Sequence, residues 1–175
     1  PGTYLRLLAA ALAEGAAPVP LLALLKHPLA AGGMAAGRFR RRVRRLETAV
    51  LRGPRPASGL AGVAAALEPG ASAPGARRPA SLRDFVLDVD RRTRAFADAL
   101  AAPSVDLATL VRTHVAAAEA LAATEREPGA ASLWQGEAGE AAARFVAELL
   151  EAAADFPPVT GAAYPGLFEA LAGAV

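Results

Sequence analysis

Residues 18–52 read PVPLLALLKHPLAAGGMAAGRFRRRVRRLETAVLR. An apolar segment is followed by a Pro/Gly break and then by six arginines within eight residues. Pro18 and Pro20 suit the first turn of a helix, where a missing N–H breaks no intrahelical bond. Leu21, Leu22, Leu24 and Leu25 then make the segment apolar nearly all round, which predicts a short buried helix. Pro28 ends it, and Gly32-Gly33 predicts a flexible turn. A basic helix is expected over 34–52, with Phe39, Val43, Leu46 and Val50 as its apolar stripe. At about 100° per residue, Arg38, Arg41, Arg45 and Arg52 group opposite that stripe, with Arg44 beside them. Arg40 and Arg42 flank the stripe, where their long stems can cover apolar surface. Gly53-Pro54 stops the helix.

The same helical period extends outward on both sides. Leu5, Leu8, Ala9 and Leu12 predict a helix over 3–14, ended by Gly15. Ser58 is placed to cap a short helix reaching Leu67. Residues 69–80, PGASAPGARRPA, lack periodicity and read as a mobile loop. Ser81 with Asp84 resembles a capping signal for a long helix to Ala101. Its expected buried face is Leu82, Phe85, Val86, Val89, Phe96 and Leu100. Ser104 is the expected start of the next helix, with Leu107, Leu110, Val111, Val115, Ala118 and Leu121 inward. A polar turn is expected over 125–131. A helix then follows Trp134 to Asp155, and a last one over 160–175 is broken near Pro165. No segment alternates with period two over a strand's length, and isoleucine is absent. The fold class is therefore all-α: a single domain over 1–175 with about seven or eight helices.

Alanine exceeds a quarter of the chain, and Arg outnumbers a single Lys. Both biases read as those of a GC-rich coding sequence. No cysteine is present, which excludes disulfides, zinc thiolates and iron–sulfur ligation within these residues and fits a cytoplasmic protein. No apolar run reaches the ~18 residues of a membrane span, and no secretory signal pattern opens the chain. Pro1 and Val175 both read as cut ends of a longer protein. Charge is uneven: residues 1–60 carry a net +8 and residues 61–175 a net −6. That split suits either a basic face for a polyanion or internal charge pairing.

No complete catalytic motif is present. Lys26 lacks the glycines of a phosphate-binding loop, and HExxH and GxSxG are absent. His114 lies between Val111 and Val115 and reads as a core histidine; His27 has no ligand partner at helical spacing. Asp84, Asp88 and Asp90, and the pair Glu137 and Glu140, read as solvated helix faces and not as a metal site. Trp134 is either a stacking platform for an unpaired base or an anchor beside a helix start. The arginine row carries the strongest signal. Arg38, Arg41, Arg44, Arg45 and Arg52 are the candidate DNA-backbone contacts, spread over roughly 21 Å of helix.

The run PVPLLALLKHPLAAGG, followed by FRRRVRRLE and LRGPRP, resembles the AddB family, subunits of the bacterial AddAB helicase–nucleases, in its alphaproteobacterial form. HVAAAEALAATE and LWQGEAGEAAARFVAELLEAAADFPPVTGAAYPGLFEAL extend the resemblance over nearly the whole chain. It implies a part in processing double-strand DNA ends, and a position like the helical 2B insertion of a superfamily-1 helicase-like subunit. It also implies an AddA-type partner. ATP, Mg²⁺ and an iron–sulfur cluster would belong to the parent complex, with no cofactor and no catalytic residue in these residues. The expected function is a non-catalytic scaffold with sequence-independent DNA-backbone contact. The alternatives are a purely structural subunit-interaction module, whose arginines pair within the protein, and an all-α ligand-binding regulatory domain.

Overall fold

Helical periodicity in the apolar residues dictates the architecture, seen here in a computed structural model that describes residues 1–68 and 80–173. Nine α-helices form among the described residues. They are α1 Gly2–Ala13, α2 Pro18–Lys26, α3 Ala36–Leu46, α4 Gly59–Ala65, α5 Ala80–Ala101, α6 Leu107–Ala122, α7 Gly129–Leu133, α8 Gly136–Ala152 and α9 Tyr164–Ala172. Eight of them are seven residues or longer, so the all-α expectation holds; α7 is an extra five-residue piece that begins in the expected polar turn and runs two residues past it. No strand occurs among the described residues, only an isolated antiparallel bridge between Val105 and Val159. No helix among them is long and apolar enough to cross a membrane. The loop expected over 69–80 lies outside the described residues, apart from Ala80, which opens α5.

Helix starts differ most from expectation. Ser58 occupies the residue before α4, yet its hydroxyl makes no capping bond. Ser81 stands inside α5 and not at its cap. Asp106, not Ser104, precedes α6, because Val105 is held extended by its two hydrogen bonds to Val159 (2.9 and 3.0 Å). The last segment is divided near Pro165 as expected: a 3₁₀ turn over Gly161–Ala163 gives way to α9 at Tyr164, and Pro165 belongs to the second piece. It sits in the first turn of α9, where its ring clashes with no preceding carbonyl.

The long helices α5 and α6 form the central pair, with α1 packed across both and α9 against α1. All six residues expected on the inner face of α5 are buried, as are Leu107, Leu110, Val111, Ala118 and Leu121 of α6; Val115 lies only at its edge. His114 is 1% exposed at the centre of an aromatic box. Phe96 stacks on its ring at 4.4 Å, and Tyr164 and Phe168 meet it edge-on. Its Nε2 lies 3.0 Å from the Leu5 carbonyl, which can only accept, so Nε2 carries the proton. The Tyr164 hydroxyl then donates to Nδ1 at 3.0 Å. One neutral imidazole thus ties α1, α6 and α9 together.

The Gly32-Gly33 segment is not the flexible turn expected. The N–H groups of Ala31 and Gly32 donate to the Leu121 carbonyl (3.0 and 2.8 Å), and Gly33 N–H donates to Ala123 (2.6 Å). These donors take up carbonyls that a helix end leaves unpaired. Gly32 and Gly33 have φ of +54° and +73°, which glycine adopts without Cβ strain. A Cβ on Gly32 would stand 2.8 Å from the Phe39 ring.

Two outcomes follow from this packing. Burial lowers the His114 pKa from its ordinary 6.5 to about 4, against the raising effect of its bond to Leu5. The unfolded chain therefore takes up this proton first. Stability is full above pH 6.5 and falls as pH drops from 6.5 towards 4, by up to about 3 kcal/mol. Urea unfolding across that range checks it, and His114→Gln should flatten the slope. Gly32→Ala should cost about 2 kcal/mol by the same assay, from the left-handed backbone and the collision with Phe39.

Candidate nucleic-acid interface

The basic helix is divided by its own geometry. Phe39, Val43 and Leu46 are buried as expected, with Phe39 meeting Phe85 edge-on at 5.3 Å, so no aromatic ring interleaves the arginines. After Leu46 the helix does not run straight on to Arg52. Residues Glu47–Leu51 form a π-helical turn, closed by Arg52 N–H donating to the Glu47 carbonyl at 3.0 Å. The Thr48 hydroxyl donates to the Arg44 and Arg45 carbonyls, both at 3.2 Å, and satisfies groups that the wider turn leaves exposed.

The wider turn has two effects. It buries Leu51 together with Val50, where a straight helix would turn Leu51 outward. It also delays the chain by about one residue, roughly 100°. Arg52 therefore moves from beside Arg45, where a straight helix places it, to beside Arg44. Expectation is corrected here: Arg52 does not join the Arg41 and Arg45 face. Its Nη2 lies 3.0 Å from Glu47 Oε1, while Lys26 Nζ reaches Glu47 Oε2 at 2.7 Å. These hydrogen bonds, that from Lys26 foremost, hold the Glu47 carboxyl below its ordinary pKa.

Arg41, Arg44 and Arg45 are exposed, and among the described residues no carboxylate lies within 4.0 Å of them. Arg40 is exposed and unpaired in the same way, on the α2 side of the helix. Arg38 is within 3.6 Å of Glu125, a loose pair between exposed side chains. Arg42 lies over the Phe85 ring at 5.9 Å, covering apolar surface as its position predicts.

Lys26, Arg40, Arg44 and Arg52 surround Glu47 in a cleft of about 320 Å³ between α2 and the end of α3. Sequence reading placed Lys26 outside any site and Arg40 on a packing flank.

Apart from Glu125 beside Arg38, the acidic second half does not neutralise this row. Asp88 pairs with Arg91 and Arg92, and Asp90 with Arg94, all within α5. These carboxylates are ion-paired and partly covered, not the freely solvated groups expected. Among the described residues no three His, Cys, Asp or Glu side chains gather as a metal site requires. Trp134 is half-buried against the core, and its indole N–H donates to Glu119 Oε1 at 2.7 Å. An apolar cleft of about 290 Å³ lies between α1, α8 and α9, lined by Leu5, Phe145, Phe168 and small residues. It presents no polar side chain to orient a ligand.

No family model matches the chain, and neither a curated protein nor a solved structure matches it.

Proposed function

We propose that the chain is a non-catalytic helical module that contacts the phosphates of DNA, without reading sequence, through the outer face of α3. The observation that carries this reading is the exposure of Arg41 and Arg45 with no carboxylate partner among the described residues. Arginines serving only to bind the acidic half of their own chain would be expected to face it, and these do not. Arg41 and Arg45 lie one helical turn apart, about 6 Å, on one edge of a helix. Their guanidinium groups are permanently charged forks that suit phosphate oxygens. The exposed Arg38 stands at the start of the same edge, and Glu125 has only a loose hold on it.

The wider setting in this proposal is the one the resemblance supplies: a 2B-like part of an AddB-type subunit in a cytoplasmic DNA end-processing complex with an AddA-type partner. ATP, Mg²⁺ and any iron–sulfur cluster act elsewhere in that complex. The role of these residues is scaffolding and electrostatic guidance of the duplex.

Fluorescence anisotropy with a labelled tailed duplex over a salt series tests the contact. Binding should be saturable at low salt, and log affinity should fall linearly with log salt. The slope should be about −2 to −3, for about three phosphates engaged. Arg41→Glu with Arg45→Glu should abolish binding. Binding that survives this double substitution defeats the proposal. No binding at low salt, with the fold intact, would make the arginine row a docking face for another protein.

A further inference from the structure

The cleft beside α3 differs in kind from the outer arginine face. It is concave, and it gathers cations from two elements: Lys26 from the last turn of α2, and Arg40, Arg44 and Arg52 from α3 and its π turn. Its one carboxylate is already engaged. Glu47 is 14% exposed at its side chain, with one oxygen on Lys26 and the other on Arg52. Four cations against one carboxylate leave a net +3. Arg40 and Arg44 stand one turn apart with no carboxylate partner among the described residues. Leu25 and Val43 form apolar walls that exclude water from one side and strengthen the local field.

The arrangement is set before any ligand arrives. The π turn brings Arg52 alongside Glu47, whose carboxylate pairs with both Arg52 and Lys26. Such turns inside α-helices are uncommon and occur often at functional sites. At about 320 Å³ the cleft is at the small end of ligand sites, too narrow for a duplex and large enough for a phosphate with part of its carrier. A diester phosphate carries one negative charge and is flanked by sugar on both sides. A terminal phosphate carries about 1.5 to 2 negative charges at neutral pH and presents three free oxygens. Only the terminal group both matches the charge of the cleft and can enter it.

We propose that this cleft binds a terminal phosphate or pyrophosphate group, carried on the end of a nucleic-acid strand or free as a small diphosphate. The strand-end source rests on the DNA-contact reading of α3. The affinity of the cleft for the phosphate itself does not.

The test is isothermal titration of the 175-residue chain with inorganic pyrophosphate at low salt, alongside anisotropy with duplexes bearing a 5′-phosphate or a 5′-hydroxyl. Pyrophosphate should bind one to one. Arg40→Gln with Arg44→Gln should weaken it about tenfold or more, since two charge-assisted contacts are lost. Arg41→Gln with Arg45→Gln should leave it unchanged. Both pairs replace exposed side chains, and circular dichroism with a thermal melt verifies their folds. Tighter binding of the 5′-phosphorylated duplex, lost only in the Arg40/Arg44 variant, assigns the ligand to a strand end. Pyrophosphate binding without that preference supports the site and assigns it a free diphosphate. No saturable binding of pyrophosphate, or equal loss in both variants, overturns the proposal. Loss of duplex binding in the Arg41/Arg45 variant is read separately and bears only on the outer face.

Discussion

The placement of the arginines of α3 depends on how the end of α6 is closed. A helix that stops inside a protein leaves carbonyls in need of donors. Here the donors are the N–H groups of Ala31, Gly32 and Gly33, which come from a turn about ninety residues earlier in the chain. Arg92 reinforces the joint by donating to the Ala120 carbonyl while holding Asp88. The turn leads directly into α3, so the same hydrogen bonds that finish α6 set the starting direction of the basic helix. Phe39, packed under Gly32, then fixes its rotation. The arginines are exposed because the apolar stripe is held down; the basic face is a product of core packing.

Charge segregation along the chain has a simple structural counterpart. The acidic half pairs largely with itself: Asp88 and Asp90 take the arginines of α5 at helical spacing, and Glu119 takes the Trp134 indole. Local pairs of this kind form at little entropic cost because one helix supplies both partners. They leave Glu125, loosely paired with Arg38, as the carboxylate of that half seen against α3 among the described residues. The basic half has only Glu14 and Glu47 of its own, and Glu47 is shared between two cations. The positive surface is thus a consequence of where ion pairs are easiest to make.

Much of this was legible in the sequence because burial follows helical period. The inner faces of α5 and α6 read directly from the spacing of Leu, Val and Phe, and His114 between two valines read as core. Helix starts were less legible. Ser58, Ser81 and Ser104 all have the residue type of a cap, but residue type alone does not show where tertiary contacts let a helix begin. The Val105–Val159 bridge, joining segments 54 residues apart, decided where α6 begins. The candidate site was legible in its residue types and misread in its grouping. A regular helix was assumed through Arg52, and the π turn moved that side chain to the other flank.

The imidazole of His114 bears on how the chain acquires its shape. It joins Leu5 to Tyr164, partners 109 and 50 residues away from it. Contacts so distant in sequence close late, since the intervening chain must first be brought together. During synthesis from the N-terminus, the apolar face of α1 has its α2 neighbour early but waits for α6 and then α9 before it is covered. α1 is therefore made well before α6 and α9 seal it, and newly made chains pass through an interval with Leu5 and Leu8 uncovered. The step most exposed to aggregation is thus set by the order in which the helices emerge, not by any weakness of the finished core.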